Sequence, residues 1–575
     1  MHHPILKPIP TTRQILDIFR GYNRDLRIGE GEFRHMQNLT SDHFPVLSPR
    51  KPRCIHASLI SPQGIIAKEK LCYVDGPDFI IGEQRICMNL SVRHEDCPKQ
   101  LVSMGAYVLI FPDKVYINTI NPEDRGPMEA EIICEGVNIS LCDNKGEVLL
   151  PQFVQGQVPD APENGDYWLD TSQNPGAMKR WVETSGLWMP VTDTYLRLSA
   201  EGIGSLFSPY DCVTVTGIPE MNQIAVIVTK EDNFLVFPGL VTQTRTVNTP
   251  ITLSRKIPKM DFVIESGNRL WGCRYGLDET GEVVNRIYAS KLGDFRNWNS
   301  YLGLASDSYY ASLGTDGPFT GAITHLGVPL FFKEKYLHKI YGAQPAEFLV
   351  QDTPCRGVQP GCHKSMAIVG EILYYKSWQG VCMYDGSLPR DIGRPLGNPR
   401  CREAAAGSVG GKYYISIGDG ETWNLFVYDS LRNLWHREDD FHALGFATLE
   451  EELYAIDADH YQIIGMLGTG QLREESVSWQ AETGELGLSD SARAYISRLN
   501  LRLQLDAGAR LDVYAQYDHN PEWVHLACVW PKSLGTISIP MRPRRSDYLR
   551  LKFIGTGGCR IYALSKTIEK GSDDR

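Results

Sequence analysis

From end to end the chain reads as short apolar or alternating runs broken by Gly, Asp-Gly or Pro. Alternation at period two sends successive side chains to opposite faces of a strand, so the pattern predicts many short strands. One stretch departs from it. Between Thr11 and Tyr22, Ile15, Ile18 and Phe19 share a helical face behind Thr12 as a cap, which predicts a single short helix.

A degenerate repeat runs through these strands. Residues 371–385 (Glu-Ile-Leu-Tyr-Tyr-Lys-Ser-Trp-Gln-Gly-Val-Cys-Met-Tyr-Asp) give a strand, a tight turn and a second strand ending in Tyr-Asp. Residues 410–429 (Gly-Gly-Lys-Tyr-Tyr-Ile-Ser-Ile-Gly-Asp-Gly-Glu-Thr-Trp-Asn-Leu-Phe-Val-Tyr-Asp) do the same. Residues 328–342, 269–273 with 285–289, and 452–457 follow the same plan. The later units recur at about 40 residues, the period of a four-stranded propeller blade. The interval before them is longer, and the region from Gly314 to Gly321 is read as the extra loop. One blade cannot bury both its faces, whereas blades packed radially cover each other and leave only short edges.

The predicted fold class is therefore all-β, a β-propeller of six to eight blades. Hairpins at 71–82, 106–116 and 222–239 read as further blades, and the stretch between the second and third of these does not match. The expected organisation is an N-terminal arm (1–50), first propeller blades (51–119), an inserted small β domain (120–218) and the remaining blades (219–470). A C-terminal antiparallel β-sandwich with a polar, frayed tail (471–575) completes it, read from the alternation at 501–506 and 510–518.

Charge and cysteine usage narrow the function classes. The net charge of −11 argues against a surface that grips a nucleic-acid backbone. The 14 cysteines include no C-x-x-C pair and no Cys/His cluster with zinc spacing. Several, such as Cys72 and Cys134, sit in apolar runs, and Cys355 and Cys362 are the closest pair in the second half. Free buried thiols in a protein assembled in the cytoplasm are expected. Met1-His2-His3-Pro4 opens no secretory signal, and no apolar run reaches the about 18 residues of a membrane span.

No Walker-type loop, H-E-x-x-H or G-x-S-x-G occurs, so no catalytic residue, cofactor site or metal site is expected and the chain reads as a non-enzyme. Ser416-Ile-Gly-Asp419-Gly420-Glu-Thr422-Trp423 resembles the Asp-box hairpin of sialidase-like propellers, with the Asp one place later than in that motif. It is a folding element in which Asp-Gly makes the turn and the Trp packs between blades. Arg390, Arg394, Arg400 and Arg402 lie close in sequence and would suit a carboxylate if they converged. Asp439-Asp440 and Glu450-Glu451-Glu452 read as solvated loop faces. Trp168, Trp181 and Trp188 stand open to two readings: a sugar-stacking platform for glycan contact, or the core of a small β domain.

The opening Gly21-Tyr-Asn23, Gly31-Glu-Phe-Arg-His-Met-Gln-Asn-Leu39 and Pro45-Val-Leu-Ser-Pro-Arg50 resembles the start of bacteriophage tail proteins in which the chain enters a propeller. The stretches Asn285–Asn299, Gly314–Gly321 and Pro540–Asp547 resemble the same virion proteins, found in prophages of gut Gram-positive bacteria. More distantly, the N-terminal signature and the propeller are similar to nozzle and stabilisation proteins of short-tailed phages. The resemblance implies a virion structural protein, a nozzle or tail-hub ring, often of six copies, around a DNA ejection channel. Its partners would be copies of itself, other tail or head-tail connector proteins, and DNA in passage without specific binding. The alternative is a glycan- or receptor-binding tail module, and behind it a propeller glycosidase or depolymerase.

Overall fold

The computed structural model describes residues 11–91, 99–173, 176–219, 221, 224–278, 281–487, 494–518, 520–542, 544 and 546–570. Among them there is no α-helix, only three single 3-10 turns, Pro345–Glu347, His363–Ser365 and Arg394–Leu396.

Seven four-stranded antiparallel sheets form a propeller. The innermost strands of blades 1 to 7 are Pro62–Ala67, Gln100–Met104, Phe262–Ser266, Phe319–His325, Ala367–Val369, Glu403–Val409 and Ala443–Leu449. Each lies beside the next around the ring, the 3-10 turn His363–Ser365 standing in between blades 4 and 5, and blade 7 returns against blade 1. Blade 7 takes its outermost strand, Cys54–Ser58, from upstream of blade 1, where it pairs with Gln462–Gly465. The ring is thus closed by main-chain hydrogen bonds between distant parts of the chain, which leaves no blade with a missing strand.

The second strands explain why the repeat was visible. Lys412–Gly418 is buried at every residue and Ile372–Ser377 at all but the first, because each runs mid-blade between two neighbouring blades. Burial on both faces gives a continuous apolar run instead of alternation. The longer early interval falls at 290–308, not at 314–321. There the Arg269 guanidinium donates to the carbonyls of Ser290 (2.8 Å), Ala305 (2.6 Å) and Asp307 (2.5 Å) and ties the loop to blade 3.

The insertion runs from Ala130–Cys134 to Ile251–Arg255 instead of 120–218, and these two strands pair with each other. The hairpin at 222–239 is not a blade. Phe234–Pro238 pairs with Tyr195–Ser199 in the five-stranded sheet of the insertion, so its apolar side chains fill that core. A four-stranded subdomain, residues 153–190, branches from it. Asn297 of blade 3 fastens the insertion by donating to Asp211 Oδ1 (3.0 Å) and accepting from the Cys212 amide (2.8 Å).

The expected helix is a strand. Thr11–Leu16 pairs antiparallel with Cys559–Lys570, Thr11 opposite Glu569 and Leu16 opposite Leu564. The free edge of that long strand supplies hydrogen-bond partners that outweigh a weak local helix preference. Residues 11–37 are therefore not a separate arm: they complete both sheets of the C-terminal sandwich. Lys566, expected in a frayed tail, lies within the long strand and pairs with Glu30.

Sandwich and propeller share one continuous core, in which Tyr22 meets Phe426 at 5.7 Å. Their junction carries a buried ion network. Arg53 pairs with Glu438 (2.7 Å) and Asp439 (2.8 Å), and Arg50 with Glu474 (2.7 Å) and Asp439 (3.6 Å). Asp439 is thus not a solvated loop residue. Nor is Glu452, which accepts from the amides of Leu467 (2.6 Å) and Thr469 (3.0 Å).

His436 lies in the same junction, fully buried, with neither ring nitrogen hydrogen-bonded. Burial, helped by the Lys412 charge, pushes its pKa down to about 3, so it is held neutral. The stabilisation is complete above the unfolded value near 6.5 and is lost as the pH falls toward 3. At pH 4.5, two units below the unfolded value, the loss is about 2–3 kcal/mol. Thermal melts at pH 7 and 4.5 are expected to show a smaller acid shift in His436→Leu than in the parent. Equal shifts would contradict this assignment.

Candidate functional site

A cavity of about 610 Å³ opens at one end of the propeller axis. It is formed where six blades converge, from Gln100, Phe262, Phe319, the turn at His363 and Lys364, Glu403–Ala405, and Ala443–Leu444. A second cavity of about 270 Å³ shares Gln100, His363, Lys364 and Leu444 and continues toward Ile65 and Phe446.

One wall is built by the Asp-box-like turn. The Asp419 carboxylate accepts from the amides of Glu421 (3.1 Å) and Thr422 (2.8 Å), and those amides hold its pKa below the ordinary range. Gly420 takes φ +99°, where a side chain would be strained. The turn delivers Trp423, whose ring stacks on His442 of blade 7 at 3.7 Å between centroids and 13° between planes. Gly418 makes this possible, since a Cβ there would stand 2.4 Å from the indole. The Trp does pack between blades, as the motif implies, and it also lines the cavity.

The opposite wall is polar. Asp261 binds the Arg274 guanidinium (2.5 Å) and the Tyr275 amide (2.8 Å). Gln100 links blades 2 and 3 by donating to the Asp261 carbonyl (2.7 Å) and accepting from the Val263 amide (3.0 Å). Lys364 crosses the axis to the Leu444 carbonyl (3.1 Å). Glu403 is exposed, and among the described residues its carboxylate has no hydrogen-bond partner. His363 packs on Phe262 (5.3 Å), and burial lowers its pKa to about 3, leaving a neutral ring whose Nε2 has no partner. The cavity therefore presents a flat aromatic pair, an exposed carboxylate, a carboxylate–guanidinium pair, the Lys364 ammonium bound to a carbonyl, and a neutral imidazole.

Of the residues singled out in the sequence the cavity takes Trp423, and the tryptophan and arginine clusters lie outside it. Trp168 is 3% exposed, donates to the Gln155 carbonyl (2.9 Å) and lies beneath Lys179. Trp188 meets Trp168 at 65° and Trp181 at 60°, so the three rings form no flat platform. They form an aromatic cluster of the small subdomain, with Trp168 buried and Trp181 and Trp188 partly exposed. The arginines also fail to converge: Arg390 reaches Asp385 (3.7 Å), Arg394 reaches Asp25 (3.1 Å), and none of the four lines the cavity. Among the described residues no group of His, Cys, Asp and Glu has metal-site geometry. No helix there is long and apolar enough to cross a membrane.

No family model matches the chain, and no curated protein matches it. Solved structures do. An exo-β-1,3-galactanase from Phanerochaete chrysosporium is 10% identical over 53% of this chain and 94% of its own, with TM-score 0.20. A family 43 arabinoxylan arabinofuranohydrolase from Bacillus subtilis is 9% identical over 53% and 94%, with TM-score 0.19. Kluyveromyces lactis Hsv2 is 9% identical over 59% and 96%, with TM-score 0.21. At such scores no residue role is carried across. Against the expectation of a non-enzyme, the axis gathers carboxylates that no linear motif announced, and the neighbours include glycoside hydrolases, from which no activity is carried across.

Proposed function

We propose that this chain is a glycan-engaging β-propeller module of a bacteriophage tail. The axial cavity carries the glycan part. A sugar presents an apolar C–H face ringed by hydroxyls. Trp423 stacked on His442 suits the face, and Asp261, Arg274, Glu403 and Lys364 suit the hydroxyls. The volume is in the range of small-ligand sites. Asp261 and Glu403 are also the residue type that glycoside hydrolysis requires.

The tail part rests on the N-terminal resemblance. Asn38 donates to the Ser478 carbonyl (2.8 Å), Arg50 donates to Asn38 Oδ1 (2.8 Å), and Leu47 exchanges main-chain bonds with Ile561. The residues that carry the resemblance form the joint between sandwich and propeller.

The test is a screen of the purified chain against cell-wall polysaccharides and a glycan array, with released reducing ends followed in parallel. Saturable binding of a defined saccharide is expected. Absence of binding at about millimolar saccharide, a weak limit for specific recognition, would overturn the glycan reading.

A ring around a DNA channel is the second reading. Exposed apolar residues on the insertion favour it, among them Ile133, Leu150, Val154, Val158 and Leu187. Antibody against the chain is expected to decorate phage tails, and mass photometry to find closed oligomers. An undecorated tail would contradict the tail assignment, and a strictly monomeric chain would contradict the ring.

A further inference from the structure

Cys362 and Cys401 stand 39 positions apart in sequence, yet their Sγ atoms lie 3.4 Å apart. Cys355 is nearer in sequence, but the fold sets Cys362 against Cys401. Cys362 is fully buried and leads into the turn that puts His363 and Lys364 in the cavity. Cys401 is partly exposed, lies two residues before Glu403, and its thiol reaches the Glu403 carbonyl (3.6 Å). Gln359 locks the two loops by donating to the Cys401 carbonyl (2.6 Å) while accepting from buried Lys376 (3.0 Å).

We propose that these two thiols are an oxidation site, closing to a disulfide that clamps the loops of blades 5 and 6 together at the cavity rim. The reading does not depend on what the cavity binds. The two sulfurs are unequal. Cys401 is the one open to solvent and so to an oxidant, and Cys362 is sealed in the core. Cys401 is thus the nucleophile and Cys362 the resolving thiol.

With hydrogen peroxide as oxidant, the Cys401 thiolate attacks one peroxide oxygen and the O–O bond breaks. Hydroxide leaves, takes a proton and becomes water, and Cys401 becomes a sulfenic acid. The Cys362 sulfur then attacks the Cys401 sulfur and the S–O bond breaks. The departing oxygen carries away the Cys362 proton as a second water. Two sulfurs are oxidised by one electron each, and the two peroxide oxygens are reduced by the same total.

The test uses the full folded chain with peroxide, followed by non-reducing peptide mass mapping. A cross-linked pair spanning Cys362 and Cys401, lighter by two hydrogens and reversed by dithiothreitol, is expected. In Cys362→Ser, Cys401 should instead accumulate sulfenic acid, trapped by dimedone. Exposed Cys87 is the internal control. Oxidation of Cys87 with Cys362 and Cys401 both still reduced would overturn the proposal, as would over-oxidation of Cys401 without a cross-link in the parent chain.

Discussion

Arg53→Ala is expected to destabilise the folded chain by about 3–5 kcal/mol, the cost of leaving buried charges without their partner. Arg53 lies at the junction where chain from the sandwich enters the propeller, and it is 6% exposed. Its guanidinium faces Glu438 and Asp439, and Arg50 alone remains to answer them in the variant, at 3.9 and 3.6 Å. Both carboxylates would stay in a site that excludes water. Denaturant unfolding of parent and variant measures the difference, and a loss below about 1 kcal/mol, typical of a surface pair, would contradict the assignment. The network also has a pH signature. Burial works to raise the Asp439 and Glu474 carboxyls, but the arginines beside them hold both below their ordinary values of 3.8 and 4.5. Their contribution is full above those values and is lost as the pH falls through the lowered ones.

Trp423→Ala is expected to weaken saccharide binding at least tenfold, about 1.4 kcal/mol, by removing the flat face on which the sugar would lie. The Asp419 turn does not need the indole, because its hydrogen bonds come from the amides of residues 421 and 422. Because the indole also packs on His442 between blades 6 and 7, the melting temperature should fall, and affinities are compared at a temperature below both melts. Trp181→Ala is the matched control: it removes a partly exposed tryptophan outside the cavity and should leave affinity unchanged. Titration calorimetry with the saccharide from the screen reads all three proteins. Equal affinity in parent and Trp423→Ala would sink the assignment of this wall.

The propeller was legible because mid-blade strands are buried on both sides, so that runs such as Tyr413–Ile417 recur against Gly and Asp turns. The end of the insertion was not. Phe234–Pro238 has the same local pattern as a blade strand, and only its partner, Tyr195–Ser199, assigns it elsewhere. Thr11–Leu16 failed similarly, since its partner lies more than 500 residues away, in Cys559–Lys570. The cavity was illegible for a geometric reason. Six blades contribute to it from inner strands, second and third strands and turns, so neighbours in space such as Trp423 and His442 form no motif in sequence. Residues that do cluster in sequence, Arg390 to Arg402, splay outward because the connections around blade 5 turn repeatedly between them.

The central claim, that the propeller axis holds a carbohydrate, is tested most directly by a structure of the chain with the saccharide bound. The account predicts a sugar ring lying on Trp423, with hydroxyls within hydrogen-bond distance of Asp261, Arg274 or Glu403. Saccharide density in the insertion at Trp181 and Trp188, with the axial cavity empty, would contradict it.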